Sequence, residues 1–416
     1  MESKELGIYI HIPFCKQKCN YCDFVSFSNK QNLAEDYIHT IKTEINNYFD
    51  NKKILENYNV TTIYIGGGTP SYIDEKYILE ILELLENKLK NNQTKFKDME
   101  ITIEVNPGTV NKEKLEQYRK AKINRLSIGL QSTKDNLLKE IGRIHTFEDF
   151  LEAYNLANQI GFDNINVDLM IGLPNQTIQD IKESLNQIIE LKPIPTHISV
   201  YSLIIEEGTV IDKLIRENKL QEMDENLERN MYWYVKNTLE LNGYKHYEIS
   251  NFAKKGKESK HNLNCWRQKE YIGIGLAAHS YLSGVRYSNS REFSEYVFRM
   301  NRLDETIIED ILKISNNVLS NEIETNLKDK IEKVYRIEEV QTLEDKKKEY
   351  MLLGLRTIKG ISISKFKEKY IDNPIFLYKK ELEELVEEKL IIIDGDYIKL
   401  TNKGLDLANI VWEKFL

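Results

Sequence analysis

The sequence predicts an α/β fold: a partial (β/α)6 barrel of the TIM type, followed by a small C-terminal α+β domain of winged-helix shape. Three observations carry this reading. Short β-branched runs alternate with longer stretches whose apolar residues recur about every 3.6 positions, and strand–helix–strand order means parallel pairing through right-handed crossovers. Each strand-like run ends in a loop of glycine, cysteine or polar residues, which is where barrels of this kind build their sites. The tail breaks the alternation and reads helix, helix, hairpin.

The expected strands are LGIYIHI (6–12), VTTIYIGG (60–67), MEITIEVN (99–106), RLSIGLQS (125–132), INVDLMIG (165–172) and HISVYSL (197–203). Segments such as LAEDYIHTIKTEINNYF and YILEILELLENKL supply the helices between them. Residues 1–210 therefore read as the barrel core, and 211–303 as an extension holding a further strand, YKHYEIS (244–250), and the segment HNLNCW. Residues 304–341 are charged, lack Pro and Gly, and read as a solvated helical connector. In 342–416 a helix ended by Gly360 and a second helix, LEELVEEKL, precede a strand pair whose Asp394-Gly395 is a hairpin signal.

Composition narrows the function classes. A formal charge of −8, from 66 acidic and 58 basic side chains, argues against a nucleic-acid partner, which requires surplus Lys and Arg. MESKELGIYIHIPF has no basic stretch followed by an apolar one, so no signal peptide is expected. No run approaches ~18 apolar residues, so no transmembrane segment is expected either, which leaves a peripheral membrane contact open. The expected location is the cytoplasm.

Of four cysteines, three fall within eight residues, as Cys15-Lys-Gln-Lys-Cys19-Asn-Tyr-Cys22, directly after a strand. In a reducing compartment this clustering points to metal rather than to disulfides. Three thiolates on one loop can hold three irons of a cubane and leave the fourth open. A structural zinc would want four ligands, and His11 is better read as packing at the strand end. Gly66-Gly67-Gly68-Thr69-Pro70 lets backbone approach a ligand, but no Gly-Lys-Ser/Thr follows, so it is not a P-loop.

With GGGTP, EVNPG (104–108), IGLQS (128–132) and DLMIGLP (168–174), the motif HIPFC-x3-C-x2-C resembles the radical S-adenosylmethionine (SAM) superfamily in its porphyrin-related branch. That branch holds the oxygen-independent coproporphyrinogen III dehydrogenases (HemN) and the haem chaperones (HemW). The resemblance implies a [4Fe–4S] cluster on Cys15, Cys19 and Cys22, with the amino and carboxylate groups of SAM on the fourth iron. It places Tyr9 and Tyr21 near SAM, Gly67, Gly68 and Thr69 at its amino group, and Glu104, Gln131, Arg143 and Asp168 at its ribose and carboxylate. Ile204 is expected to line the adenine pocket. Arg143 can pair a carboxylate as a fork, while Glu104 and Asp168 accept from hydroxyls or an ammonium. The implied chemistry is electron donation from the reduced cluster into the SAM sulfonium, releasing methionine and a deoxyadenosyl radical. An electron donor is then a required partner.

Two departures separate the branch's enzyme from its chaperone. The dehydrogenase motif continues to a fourth cysteine, C-x3-C-x2-C-x-C, where this chain has Phe24, and it carries a longer segment ahead of the cluster. Both favour the haem chaperone. The chaperones also carry H-N-x-x-Y-W, linked to haem, which His261, Asn262 and Trp266 match while Cys265 replaces Tyr. A His can ligate haem iron and a Trp can stack on a porphyrin. Cys265 reads as packing before it reads as an axial thiolate. The implied function is a haem chaperone that delivers haem to acceptor haemoproteins. The alternatives are the dehydrogenase, by radical decarboxylation of propionates, and a radical methyltransferase or haem-opening enzyme.

Overall fold

The computed structural model describes residues 3–302, 305–314 and 321–416. Six parallel strands stand where the β-branched runs predict them: β1 (Lys4–Ile12), β2 (Tyr58–Gly67), β3 (Glu100–Val105), β4 (Arg125–Gln131), β5 (Ile165–Ile171) and β6 (His197–Ser202). They lie side by side in chain order. Between them run α1 (Ala34–Phe49), α2 (Glu75–Lys88), α3 (Lys112–Lys120), α4 (Phe147–Ile160) and α5 (Ile178–Ile189). Helices α4 and α5 begin on capping boxes, Thr146 with Asp149 and Thr177 with Asp180, which satisfy backbone donors at each start.

The two faces of the curved sheet differ in chemistry. Leu6, Ile8, Ile10 and Ile12 alternate outward under the helices and are fully buried. The opposite face turns inward and is polar: Tyr9, Thr62, Tyr64, Thr102, Glu104, Arg125, Asn166, Asp168 and His197. The outer apolar face supplies the cohesion of the fold, and the lumen is left for polar groups.

The sheet is wider than the barrel core. Past β6, after helix α6 (Glu225–Leu241), it adds β7 (Lys245–Glu248) and β8 (Asn251–Ala253), antiparallel, in the order β6-β8-β7. Past β1 it adds β9 (Glu270–Ile274), parallel to β1, then the antiparallel β10 (His279–Leu282), β11 (Val285–Ser288) and β12 (Arg336–Val340). It is open, with β7 and β12 at its edges. Strand β12 corrects the reading of 304–341 as a solvated helical connector. That segment does contain helices over Glu305–Ile314 and Asn321–Ile331, but Ile307, Ile308, Ile311 and Ile331 are buried in the main core and β12 pairs with β11. The apolar stripe on its helices outweighs the surrounding charge. Residues 304 and 315–320 of the segment lie outside the described residues.

The C-terminal domain has its own core, from Met351 and Leu355 through Phe366, Leu385 and Val411 to Phe415. Its sheet is β13 (Ile361–Ser362), β14 (Ile391–Asp394) and β15 (Tyr397–Leu400), the last two joined at Gly395, φ +58. The first helix spans Leu343–Gly354, stopping before Gly360. Gly360 instead lies against β15, where an added Cβ would come 2.0 Å from the Ile398 carbonyl oxygen. No described helix is long and apolar enough to cross a membrane.

Candidate functional site

The C-terminal ends of the barrel strands surround a cavity of about 550 Å³. Cys15, Cys19 and Cys22 form one wall of it, on the loop after β1. That loop is fixed at three points. The Phe27 N–H donates to the Pro13 carbonyl at 2.6 Å, the His11 Nε2 meets the Val25 carbonyl at 2.8 Å, and the Asn20 side chain donates to the Glu140 carbonyl at 2.9 Å. His11 thus holds the loop and is no ligand.

All four cysteines are free thiols. Burial pushes Cys15 and Cys22 up, so a metal bound there would have to displace their protons. Among the described residues no three His, Cys, Asp or Glu side chains converge on a point as ligands of a single ion would. A cubane places each thiolate on a separate iron, so three thiols spread along one wall suit a cluster.

A hydrogen-bonded arc joins two of these thiols. Thr69 Oγ1 donates to Cys15 Sγ at 3.6 Å, Asn106 Nδ2 donates to Thr69 Oγ1 at 3.1 Å, and Arg143 Nη2 donates to Asn106 Oδ1 at 2.7 Å. The arc closes where Arg143 Nη1 donates to Cys19 Sγ at 3.6 Å. Arg143 also donates to the Gly129 carbonyl at 2.5 Å. Burial works against its charge, but the neighbouring Tyr21 and Cys19 outweigh it and keep the guanidinium firmly protonated.

The opposite wall is acidic. Glu104 accepts from the Tyr64 hydroxyl at 2.9 Å and from the Gly67 N–H at 3.0 Å. Gly66 has no room for a side chain there, since a Cβ would come 2.8 Å from the Glu104 carboxyl. Asp168 accepts from Asn166 at 2.7 Å and Ser127 at 3.3 Å, and burial holds its pKa above the usual carboxylate range. The N–H groups of Gly68 and Thr69 are taken by the Ile12 and Phe14 carbonyls, at 2.9 Å each. With the Gly67 N–H on Glu104, this loop has only acceptors to offer, which suits an ammonium group. Gln131 reaches the cavity from a left-handed residue, φ +70, beyond a bulge at Gly129. Tyr21 packs against the small cluster of Leu137, Ile141 and Met170, while Ile204 and Phe24 stand exposed at the mouth.

Cys15, Cys19, Cys22, Tyr21, Gly67, Gly68, Thr69, Glu104, Gln131, Arg143, Asp168 and Ile204 therefore line one cavity. Tyr9 does not. Its hydroxyl bonds His11 Nδ1 at 2.9 Å, one layer below in the lumen. Asn106 and Tyr64 are the additions, and both stand inside or beside motifs already singled out.

The HNLNCW residues occupy α7 (Lys260–Trp266), at the N-terminal end of the barrel, across the lumen from the cysteines. His261 is 8% exposed and plugs that end. Its Nδ1 meets Thr62 Oγ1 at 2.9 Å, its backbone N–H donates to Glu100 at 2.9 Å, and its ring lies 5.2 Å from that of Tyr64. Burial lowers it to about 4, so the ring is neutral. Burial raises Cys265 to about 11, the behaviour of a packed thiol. Asn262 donates its backbone N–H to Ser259 Oγ at 3.3 Å, within the turn that caps α7. Trp266 lies 4.4 Å from the Arg356 guanidinium, which lies 4.5 Å from Trp412 on its other side.

Two buried carboxyls give the ligand-free chain a pH dependence. Burial raises both Glu104 and Glu44 from 4.5 to about 7. The folded chain then keeps protons that the unfolded chain releases first, so this stability is complete below 4.5 and is lost as pH rises through about 7. The buried histidines His11, His145, His197, His246 and His261, all lowered by burial, act in the opposite sense. The Glu104 contribution is therefore read by difference: between about pH 5 and about pH 7.5 the thermal midpoint of Glu104→Gln should rise relative to that of wild type.

Comparison with known proteins agrees with this geometry. Residues 9–188 match the radical SAM superfamily model, and residues 341–407 match the HemN C-terminal domain model. The chain is 35% identical to a protein named heme chaperone HemW from Bacillus subtilis, over 98% of both chains. It is 34% identical to the protein of that name from Lactococcus lactis, over 100% of this chain and 98% of the other. The Escherichia coli protein so named is 38% identical over 66% of this chain and 69% of its own. Among solved structures, the coproporphyrinogen III oxidase HemN of Escherichia coli superposes with a TM-score of 0.79, covering 99% of this chain and 90% of that one at 21% identity, a likeness of fold. Superfamily membership implies a [4Fe–4S] cluster and SAM, for which the three thiols, the acceptor loop and the acidic wall are chemically fitted. The chain belongs to the radical SAM superfamily and, within it, to the HemW family.

Proposed function

We propose that this protein is a haem chaperone: it holds a [4Fe–4S] cluster and SAM at the top of the barrel, binds haem, and delivers it to acceptor haemoproteins in the cytoplasm. The observation that carries the reading is its end-to-end likeness to proteins named heme chaperone HemW. Phe24, exposed at the cavity mouth where the dehydrogenase motif carries another cysteine, supports it. The residues His261, Asn262, Cys265 and Trp266 are assigned to the support of the haem site.

When bound, the cluster and SAM together supply one-electron chemistry, for which an electron donor is required. The chain's own residues have the tasks of binding and exclusion. Cys15, Cys19 and Cys22 hold irons, and the Thr69–Asn106–Arg143 arc orients two of those thiolates. Glu104 and Asp168 accept hydroxyls, and Gly67, Gly68 and Thr69 face the amino group. Tyr64 and His261 close the lumen below and keep water from reaching the cavity through the barrel.

The test is an anaerobic assay of the reconstituted protein with SAM, a strong reductant and coproporphyrinogen III, beside a haem titration. The expected result is saturable haem binding near one per chain with no protoporphyrinogen. Protoporphyrinogen formed over many turnovers would overturn the chaperone reading in favour of the dehydrogenase.

A further inference from the structure

Beneath the barrel, on the side away from the cysteines, lies a second and larger cavity of about 1200 Å³. It is wider than the ~300–1,000 Å³ of typical small-ligand sites. Its upper wall is the edge strand β7, helix α7 and the turn after it, and its lower wall is the C-terminal domain. The two walls are joined. The Ile358 N–H donates to the Tyr247 carbonyl at 3.1 Å, Ile249 pairs with Arg356 at 3.2 Å, and Tyr370 and Lys369 both donate to the Gln268 side chain, at 2.6 and 2.9 Å.

The charge of this cleft opposes that of the whole molecule. The chain carries −8, yet seven lysine or arginine side chains and only two glutamates line the cleft. Two of the seven are committed, Lys269 to Glu5 at 2.5 Å and Lys399 to Asp394 at 2.6 Å. Lys245, Arg267, Lys359, Lys365 and Lys369 have no carboxylate partner among the described residues. Like charges do not gather unpaired in one concavity without cost, and an anion held among them relieves it.

The remainder of the lining is flat and apolar. Leu263, Trp266, Tyr350, Ile358 and Tyr397 supply it, with the Lys359 ammonium 4.8 Å from the Tyr397 ring and that of Lys369 5.1 Å from the Tyr350 ring. The Trp266 indole N–H and the Arg356 Nε–H are buried without acceptors. A ligand that fits these surfaces has a broad apolar plate and a few carboxylates at one edge. Iron porphyrin has that form, and the choice of haem among such plates rests on the chaperone reading above. His261 does not line the cleft.

We propose that haem sits in this cleft, its macrocycle against Trp266 and the aromatic wall and its two propionates against Lys359, Lys365 and Lys369 of the C-terminal domain. The C-terminal domain is then half of the haem site, and His261 supports α7 from inside the lumen as a positioning residue.

The test titrates the cluster-loaded, full-length protein with haem, anaerobically, by absorbance. Lys359→Glu with Lys365→Glu changes side chains that make no ion pair, so the fold and the cluster absorbance should persist. Haem binding is expected to weaken by at least about tenfold, the loss that a single charge-assisted contact implies. Haem dimethyl ester, which lacks the carboxylates, should bind wild type and double variant alike. Haem affinity unchanged in the double variant, or competition by a single-stranded oligonucleotide as strong as that by free porphyrin, would overturn the cleft assignment while leaving the chaperone reading intact. A wild type that binds no haem would overturn both.

Discussion

Replacing Cys15, Cys19 or Cys22 with Ala should abolish the cluster's visible absorbance and its reduced-state paramagnetic signal, and with them the binding of SAM. On the proposed assignment the effect is all-or-none, because each thiolate would hold its own iron and nothing nearby among the described residues could substitute. His11 is committed to Val25 and Tyr9, and among the described residues no other set of metal-ligating side chains converges. The fold should survive, since the core runs from Leu6 to Tyr335 through apolar side chains that owe nothing to the cluster. The unfolding midpoint of each ligand-free variant should therefore stay within a few degrees of wild type. Cys265→Ser is the control. Cys265 stands on α7 at the far end of the barrel, and this variant should keep a full cluster signal. A Cys19→Ala protein that still assembles a SAM-responsive cluster would contradict the assignment.

Arg143→Met should cost about 3 kcal/mol of SAM affinity, roughly a hundredfold, through the loss of charge-assisted hydrogen bonds to a carboxylate and of the groups that Arg143 now orders. Its guanidinium reaches the Gly129 carbonyl, Asn106 and Cys19 from one buried position. Arg143→Lys should recover only part of this, because an ammonium cannot serve a carboxylate and the arc as a fork does. Equilibrium binding of SAM to the reconstituted proteins measures the series. The expected order is wild type, then Lys, then Met. A Lys variant equal to wild type would show that charge alone, without the fork, is what Arg143 supplies.

Much of this was readable from local pattern. The six strands of the barrel core announced themselves because both faces are enclosed and each run is β-branched, so observed ends fall within two residues of the expected ones. The cysteine spacing and the glycine loop stand out in the sequence because metal ligation and close backbone approach demand those residue types. Long-range pairing was not. Nothing local tells that Glu270–Ile274 lies parallel to β1, or that Arg336–Val340 crosses a charged stretch to join the sheet edge. The isoleucines of 305–314 carried a helical stripe, but the surrounding charge concealed that it is buried. Within the site, Asn106 sat inside EVNPG, and its role needed the distance to Arg143. The polar lumen did leave a signal, in the pairs Thr62/Tyr64, Thr102/Glu104 and Asn166/Asp168 at period two on otherwise apolar strands.

The same lumen connects the two ends of the molecule. Asp168 accepts from Asn166, whose Oδ1 meets His197 Nδ1 at 2.6 Å, and His197 Nε2 meets the Tyr247 hydroxyl at 2.8 Å. Tyr247 lines the lower cleft while Asp168 lines the upper cavity. A buried, neutral His197 keeps this a hydrogen-bonded strut and not a charge relay. It gives the upper cavity and the lower cleft a common rigid wall.

The most direct test of the central claim follows haem itself. The cluster-loaded protein, saturated with one haem and freed of excess, is mixed with an apo-haemoprotein, and the acceptor's own absorption bands are followed with time. The account predicts that the acceptor gains haem as the chaperone loses it, faster than the acceptor is filled from a buffer solution of free haem. Haem that stays on this chain, or that reaches the acceptor no faster than free haem does, would contradict a function in delivery.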